Sequence, residues 1–169
     1  MGMESFNIMI LPCNINIVQN KEYWGVSGIT EIKVDFVTAE IRKMRNIKKK
    51  KGGYVIERCI EVKLYEKDNC FQGFELRGCL SYLKGGIDIC YNFYNYWEAR
   101  IPMKLYILNQ EVEVHSSTEL YKVISNMYFE KINIFAKQYG SIEMKVTSGD
   151  FYRKIKRKIW WHKANSHFL

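Results

Sequence analysis

The sequence predicts an α+β fold: an antiparallel β-meander of about six or seven strands, one long helix over about residues 117–139 packed on it, and a basic C-terminal helix. Three observations predict it. Apolar residues alternate with polar ones through most of the first two thirds of the chain, the period of half-buried strands. Glycine- or asparagine-bearing turns separate the alternating runs. After residue 115 the apolar spacing changes to three and four, the period of a helix lying on a sheet.

Taken in order, "MGMESFNIMILPCNINIV" reads as a first strand near residues 6–18, since no basic region precedes its apolar run. In "ITEIKVDFVTAEI", residues 29–41, Ile32, Val34 and Phe36 alternate with Glu31, Lys33 and Asp35, which predicts another strand. "YVIERCIEVKLYE" follows, with Tyr54, Ile56, Ile60, Val62 and Leu64 on one side. The two runs predict a hairpin with a long basic tip from Lys48 to Gly53. "CFQGFELRGCLSYL" and "IDICYNFYNYW" flank Lys84-Gly85-Gly86, which reads as a second hairpin turn. "MKLYIL" and "EVEVH" flank Asn109-Gln110 as a third.

The helix opens with Ser116 three residues before Glu119, a capping box, and closes at Gly140. Leu120, Val123, Ile124, Met127 and Phe135 supply its apolar stripe. "SIEMKV" reads as one more short strand, and Ser148 to Asp150 begins the final helix.

At 169 residues and 47% hydrophobic, the chain fits one domain spanning residues 1–169. Its five cysteines are odd in number and form no Cys-x-x-Cys pair, so they read as reduced thiols of a cytoplasmic protein. No run reaches the roughly 20 apolar residues of a membrane span.

Net charge is +8, and two stretches carry it. "RKMRNIKKKKGG" and the tail "FYRKIKRKIWWHKANSHFL" together hold thirteen of the 26 Lys and Arg, and the remainder of the chain is acidic by five charges. Lys48, Lys49, Lys50 and Lys51 could contact phosphates. They could equally be a solvated hairpin tip whose lysines keep a sheet edge from pairing. In the tail, Phe151, Ile155 and Ile159 fill a narrow apolar sector, while Arg153, Lys154, Arg157, Trp160 and Trp161 fall on the basic side of the expected helix. Tyr94 and Tyr96 would present aromatic rings from a strand to the second face of the sheet, a surface suited to a protein partner.

The search for chemistry finds little. The three histidines, His115, His162 and His167, offer no metal-ligand spacing, and no Gly-rich phosphate loop joins a strand to a helix. Glu111 and Glu113 share a strand face but read as solvated. No cofactor, metal or catalytic residue is expected. In size and style, with no motif behind the likeness, the chain resembles the immunity or inhibitor proteins that bacteria and phages use against toxins and defence enzymes. The expected function is therefore a non-enzymatic protein-binding module. The alternative is a nucleic-acid-binding accessory protein that uses the basic loop 42–51 and the tail.

Overall fold

A computed structural model describes residues 5–19 and 24–139. The strand expected from "SIEMKV", the basic C-terminal helix and the site residues Arg153, Lys154, Arg157, Trp160 and Trp161 lie outside the described residues.

The fold is α+β, built on a seven-stranded antiparallel sheet. Its strands are β1 (Ser5–Pro12), β4 (Ile47–Lys50), β5 (Gly53–Ile56), β6 (Ile60–Lys67), β7 (Cys70–Cys79), β8 (Met103–Ile107) and β9 (Gln110–Val112). A separate hairpin joins β2 (Asn16–Gln19) to β3 (Trp24–Ser27). The helices are α1 (Val34–Lys43), α2 (Leu83–Glu98), α3 (Ser117–Met127) and α4 (Phe129–Tyr139). The sheet order is β4-β5-β6-β7-β1-β8-β9. Only β4 to β7 form a continuous meander. Strand β1 inserts between β7 and β8, so α2 carries the chain across β1 in a split β-α-β crossover.

Three of the hairpin reversals use paired left-handed residues. Glu57-Arg58, Asp68-Asn69 and Leu108-Asn109 all have positive φ, the backbone of primed turns, which match the twist of the flanking strands. The β4–β5 reversal instead uses Gly52 at φ 82°.

Two sequence expectations are corrected. Residues 34–43 form α1 rather than a strand, because Val34, Val37 and Ile41 are the buried set, at spacings of three and four, while Phe36 points outward at 48% exposure. Residues 83–98 form α2, burying Leu83, Gly86, Ile87, Cys90, Phe93 and Trp97 on one face. Lys84-Gly85-Gly86 is thus the first turn of a helix and not a hairpin. The partner of β7 is β6, reached through Asp68-Asn69. Tyr94 and Tyr96 accordingly leave a helix, not the second face of the sheet.

The expected long helix is two. The Ser116 side chain accepts from the Glu119 N–H at 3.2 Å and the Glu119 carboxylate accepts from the His115 N–H at 2.7 Å, so the N-terminal cap forms as predicted. At Tyr128 the backbone leaves helical geometry, with φ −106° and ψ 14°.

The main core lies between the helices and one sheet face. Phe6, Ile8 and Ile10 of β1, Phe74 and Leu76 of β7, and Val62 of β6 meet Val37 and Ile41 of α1, Phe93 and Trp97 of α2, and Leu120 and Ile124 of α3. Phe71, Phe74, Phe93 and Trp97 form an aromatic cluster, with Phe74 and Trp97 centroids 5.0 Å apart. Burying each such side chain contributes about 1.5–3 kcal/mol. On the opposite face a smaller cluster of Met9, Leu11, Ile15 and Tyr106 covers one part of the sheet.

Candidate functional site

The sheet's register decides which side chains reach the face away from the helices. Directly paired residues share a face, so the pairs Lys48↔Val55, Val55↔Glu61, Glu61↔Arg77 and Arg77↔Asn7 define one row across that outer face. Lys63↔Glu75, Glu75↔Met9 and Met9↔Tyr106 define the next. Over β4 to β7 the outer face is therefore polar, while β1 and β8 contribute the small apolar cluster.

Lys48, Lys49, Lys50 and Lys51 are all exposed. The structure divides them. Lys48, Lys49 and Lys50 belong to the edge strand β4, and Lys51 to its turn. The strand period sends Lys48 and Lys50 to the outer face and Lys49 to the helix side. The exposed Lys63 and Arg77 join Lys48 and Lys50 on the outer face. Around the β4–β5 turn Lys50, Lys51, Lys63 and Arg77 line a concavity of about 250 Å³ together with Glu61 and Glu75.

The carboxylates are engaged within the protein. Lys50 pairs with Glu61. Tyr65 donates from its hydroxyl to Glu75, and the Asn7 side-chain amide donates to the same carboxylate at 3.2 Å. The Lys63 ammonium sits 4.5 Å from the Tyr65 ring centroid. Burial, and then the hydrogen bond to Glu75, push the Tyr65 phenol well above its ordinary value. The Arg77 Nε–H donates to Ser5 Oγ at 3.3 Å, which leaves the rest of the guanidinium at the surface. Lys48, Lys63 and Arg77 thus present positive charge without a carboxylate within ion-pair distance among the described residues.

Tyr94 and Tyr96 leave α2 in directions 200° apart and meet different neighbours. The Tyr96 hydroxyl donates to Glu40 of α1 at 3.1 Å, and the Arg100 guanidinium lies 3.6 Å from its ring centroid. Tyr94 lines a second hollow of about 440 Å³, bounded by Tyr91 and Glu98 of α2, Met103 to Leu105 of β8, and Glu111 to His115. Its hydroxyl donates to the Met103 carbonyl at 3.5 Å. This hollow is the larger of the two, but the sequence's basic residues gather at the other. Its own carboxylates do not converge: Glu111 pairs with Lys104 at 3.5 Å and takes the Tyr106 hydroxyl at 3.0 Å, while Glu113 lies 3.7 Å from His115 at the exposed rim.

No three His, Cys, Asp or Glu side chains gather to hold a metal among the described residues. No helix among them is long and apolar enough to cross a membrane. Around the β4–β5 turn the side chains offer positive charge and hydrogen-bonding capacity at the surface.

Sequence reasoning missed Lys63 and Arg77 as members of the basic face. The signal was present: Glu61 and Lys63 alternate with Ile60, Val62 and Leu64, and Glu75 and Arg77 alternate with Phe74 and Leu76. Placing both pairs beside β4 required the register of three strands. Comparison with protein-family models, with curated proteins and with solved structures finds no match.

Proposed function

We propose that the protein is a non-enzymatic binding module that engages an acidic surface of a protein partner through the β4 edge and the outer face of β4 to β7. This is the mode of action expected of an immunity or inhibitor protein that neutralises a toxin or defence enzyme by direct contact. One observation carries the reading: Lys48, Lys63 and Arg77 stand exposed on one rigid sheet face, and among the described residues no helix covers them. Basic residues arrayed on one face raise the rate of encounter with an acidic partner. All five cysteines are free, which supports a reducing, cytoplasmic setting.

Two features favour a protein over a nucleic acid. Lys49 points away from Lys48 and Lys50, so the lysine run does not form one phosphate-tracking stripe. The Tyr65 ring, the aromatic group beside Lys63, already lies under that ammonium and bonds Glu75, so it is not free to stack on a base.

The test compares the unaltered protein with a Lys48→Glu/Lys63→Glu variant against poly-L-glutamate, single-stranded RNA and duplex DNA at low and physiological salt. Salt-sensitive binding of poly-L-glutamate that the variant loses is the expected result. Tighter retention of RNA or DNA than of poly-L-glutamate at physiological salt would replace the protein partner with a nucleic acid.

A further inference from the structure

Among the described residues strand β4 ends the sheet, and its pairing with β5 determines which backbone groups remain available. The Glu57 N–H donates to the Asn46 carbonyl at 3.0 Å, which makes Asn46 and Glu57 a hydrogen-bonded pair just beyond the ladder. In an antiparallel ladder bonded and non-bonded pairs alternate. Lys48↔Val55 and Lys50↔Gly53 are then bonded pairs, while Ile47↔Ile56 and Lys49↔Tyr54 are non-bonded. The backbone of Lys48 and Lys50 faces β5, and that of Ile47 and Lys49 faces outward. The Ile47 N–H is occupied by the Met44 carbonyl at 3.4 Å. The open edge therefore offers the Lys49 N–H, the Lys49 carbonyl and the Ile47 carbonyl.

We propose that this edge receives an extended acidic segment of the partner as an additional antiparallel strand. The proposal rests on the reading of the protein as a binder of acidic protein surface. The segment's residue opposite Lys49 exchanges two ladder bonds with it. Its two flanking residues face outward beside Lys48 and Lys50, where carboxylates complement the lysines. The same lysines discriminate between candidate strands. A second copy of β4, or any basic strand, would set like charges opposite one another, so the edge resists self-association while remaining open to acidic segments.

The probe is a blocked heptapeptide of alternating Glu and Val, compared with two versions N-methylated either at the valines or at the glutamates. With glutamates on the outer face, the valine amides point at Lys49 and the glutamate amides point away. Valine methylation is expected to weaken binding by about tenfold or more, and glutamate methylation to leave it little changed. On the protein side, Lys49→Pro removes the outward N–H without breaking the β4–β5 ladder, and is expected to bind about tenfold more weakly than Lys49→Ser. Bound peptide should slow hydrogen exchange at the Lys49 amide and leave the Lys48 and Lys50 amides nearly unchanged. Equal binding of both methylated peptides, with loss of binding in Lys48→Ser/Lys50→Ser, would overturn strand addition while sparing the acidic-partner reading. If the unaltered protein binds none of the peptides, that reading falls as well.

Discussion

The Tyr128 hydroxyl serves both backbone groups of Asn7: it accepts from the Asn7 N–H at 3.1 Å and donates to the Asn7 carbonyl at 3.5 Å. Strand β8 pairs with β1 only from Ile8 onward, so at Asn7 the tyrosine stands where the next ladder residue would be. The helix break between α3 and α4 lies at the same residue, which ties the division of the long helix to the completion of β1. Tyr128→Phe should cost about 1–2 kcal/mol, because it removes the hydroxyl that bonds both backbone groups of Asn7. Urea unfolding measures the loss, and faster amide exchange at Asn7 assigns it to this contact.

Helix α2 lies close enough to the sheet that two glycines set the spacing, for different reasons. A Cβ on Gly78 would fall 2.3 Å from the ring of Phe6, a fully buried residue, whereas one on Gly86 would meet Phe6 and Ile60 at 3.3 Å. Gly78→Ala should therefore destabilise by about 1–3 kcal/mol through overpacking. Gly86→Ala should be nearly neutral, since tight contact offsets the roughly 0.5–1 kcal/mol that alanine gains within a helix. Thermal unfolding of the two variants checks the contrast, and equal effects would disprove this account of the spacing.

The elements that were legible in the sequence are those whose pattern fits one period. The one-sided set Tyr54, Ile56, Ile60, Val62 and Leu64 does share the helix-facing side of the sheet, even though a turn at Glu57-Arg58 divides it into two strands. The Ser116 cap is local chemistry and survives unchanged in the fold. Helix α1 was hidden because Ile32, Val34 and Phe36 alternate over a short window; only Val37 and Ile41, further along, break the alternation. Helix α2 was hidden by its composition, since tyrosines and phenylalanines favour strands unless tertiary contacts prevail. Here they prevail: Phe93 and Trp97 are four residues apart and both pack on Phe74. The basic face was half legible, since β6 and β7 each show their alternation, whereas β4 is an unbroken lysine run after Ile47. The register that sets Lys63 and Arg77 on the face of Lys48 and Lys50 depends on the successive pairings of β4, β5, β6 and β7.

The five free thiols should react in an order set by burial. Cys13 is exposed, Cys59 is half-buried, and Cys90 is fully buried within the helix–sheet core. Desolvation, reinforced by the Glu57 carboxylate, pushes the Cys59 thiol up to about 11. Desolvation raises Cys90 further still. Since the thiolate is the reacting form, iodoacetamide at pH 8 should modify Cys13 first, Cys59 much more slowly, and Cys90 only on unfolding. Mass spectrometry of peptides over a time course reads the order, and early labelling of Cys90 would contradict its place in the core.

Glu40 joins α1 to α2 and should give folding stability an acid limb. Its carboxylate pairs with Lys43, accepts the Tyr96 hydroxyl at 3.1 Å and lies 3.5 Å from the Arg100 guanidinium. The hydrogen bond from Lys43 is the largest influence on it; with Tyr96 and the two cations it outweighs desolvation and holds the group below its ordinary value of 4.5. A carboxylate with a lower pKa in the folded state than in the unfolded state binds fewer protons when folded, so its contribution is present above the unfolded value. That contribution is lost as pH falls from 4.5 through the lower folded value. Glu40→Gln should accordingly flatten the loss of stability below pH 4.5 while lowering stability near neutrality. Chemical denaturation at a series of pH values checks both, and a variant whose acid limb matched that of the unaltered protein would show that Glu40 does not carry the linkage.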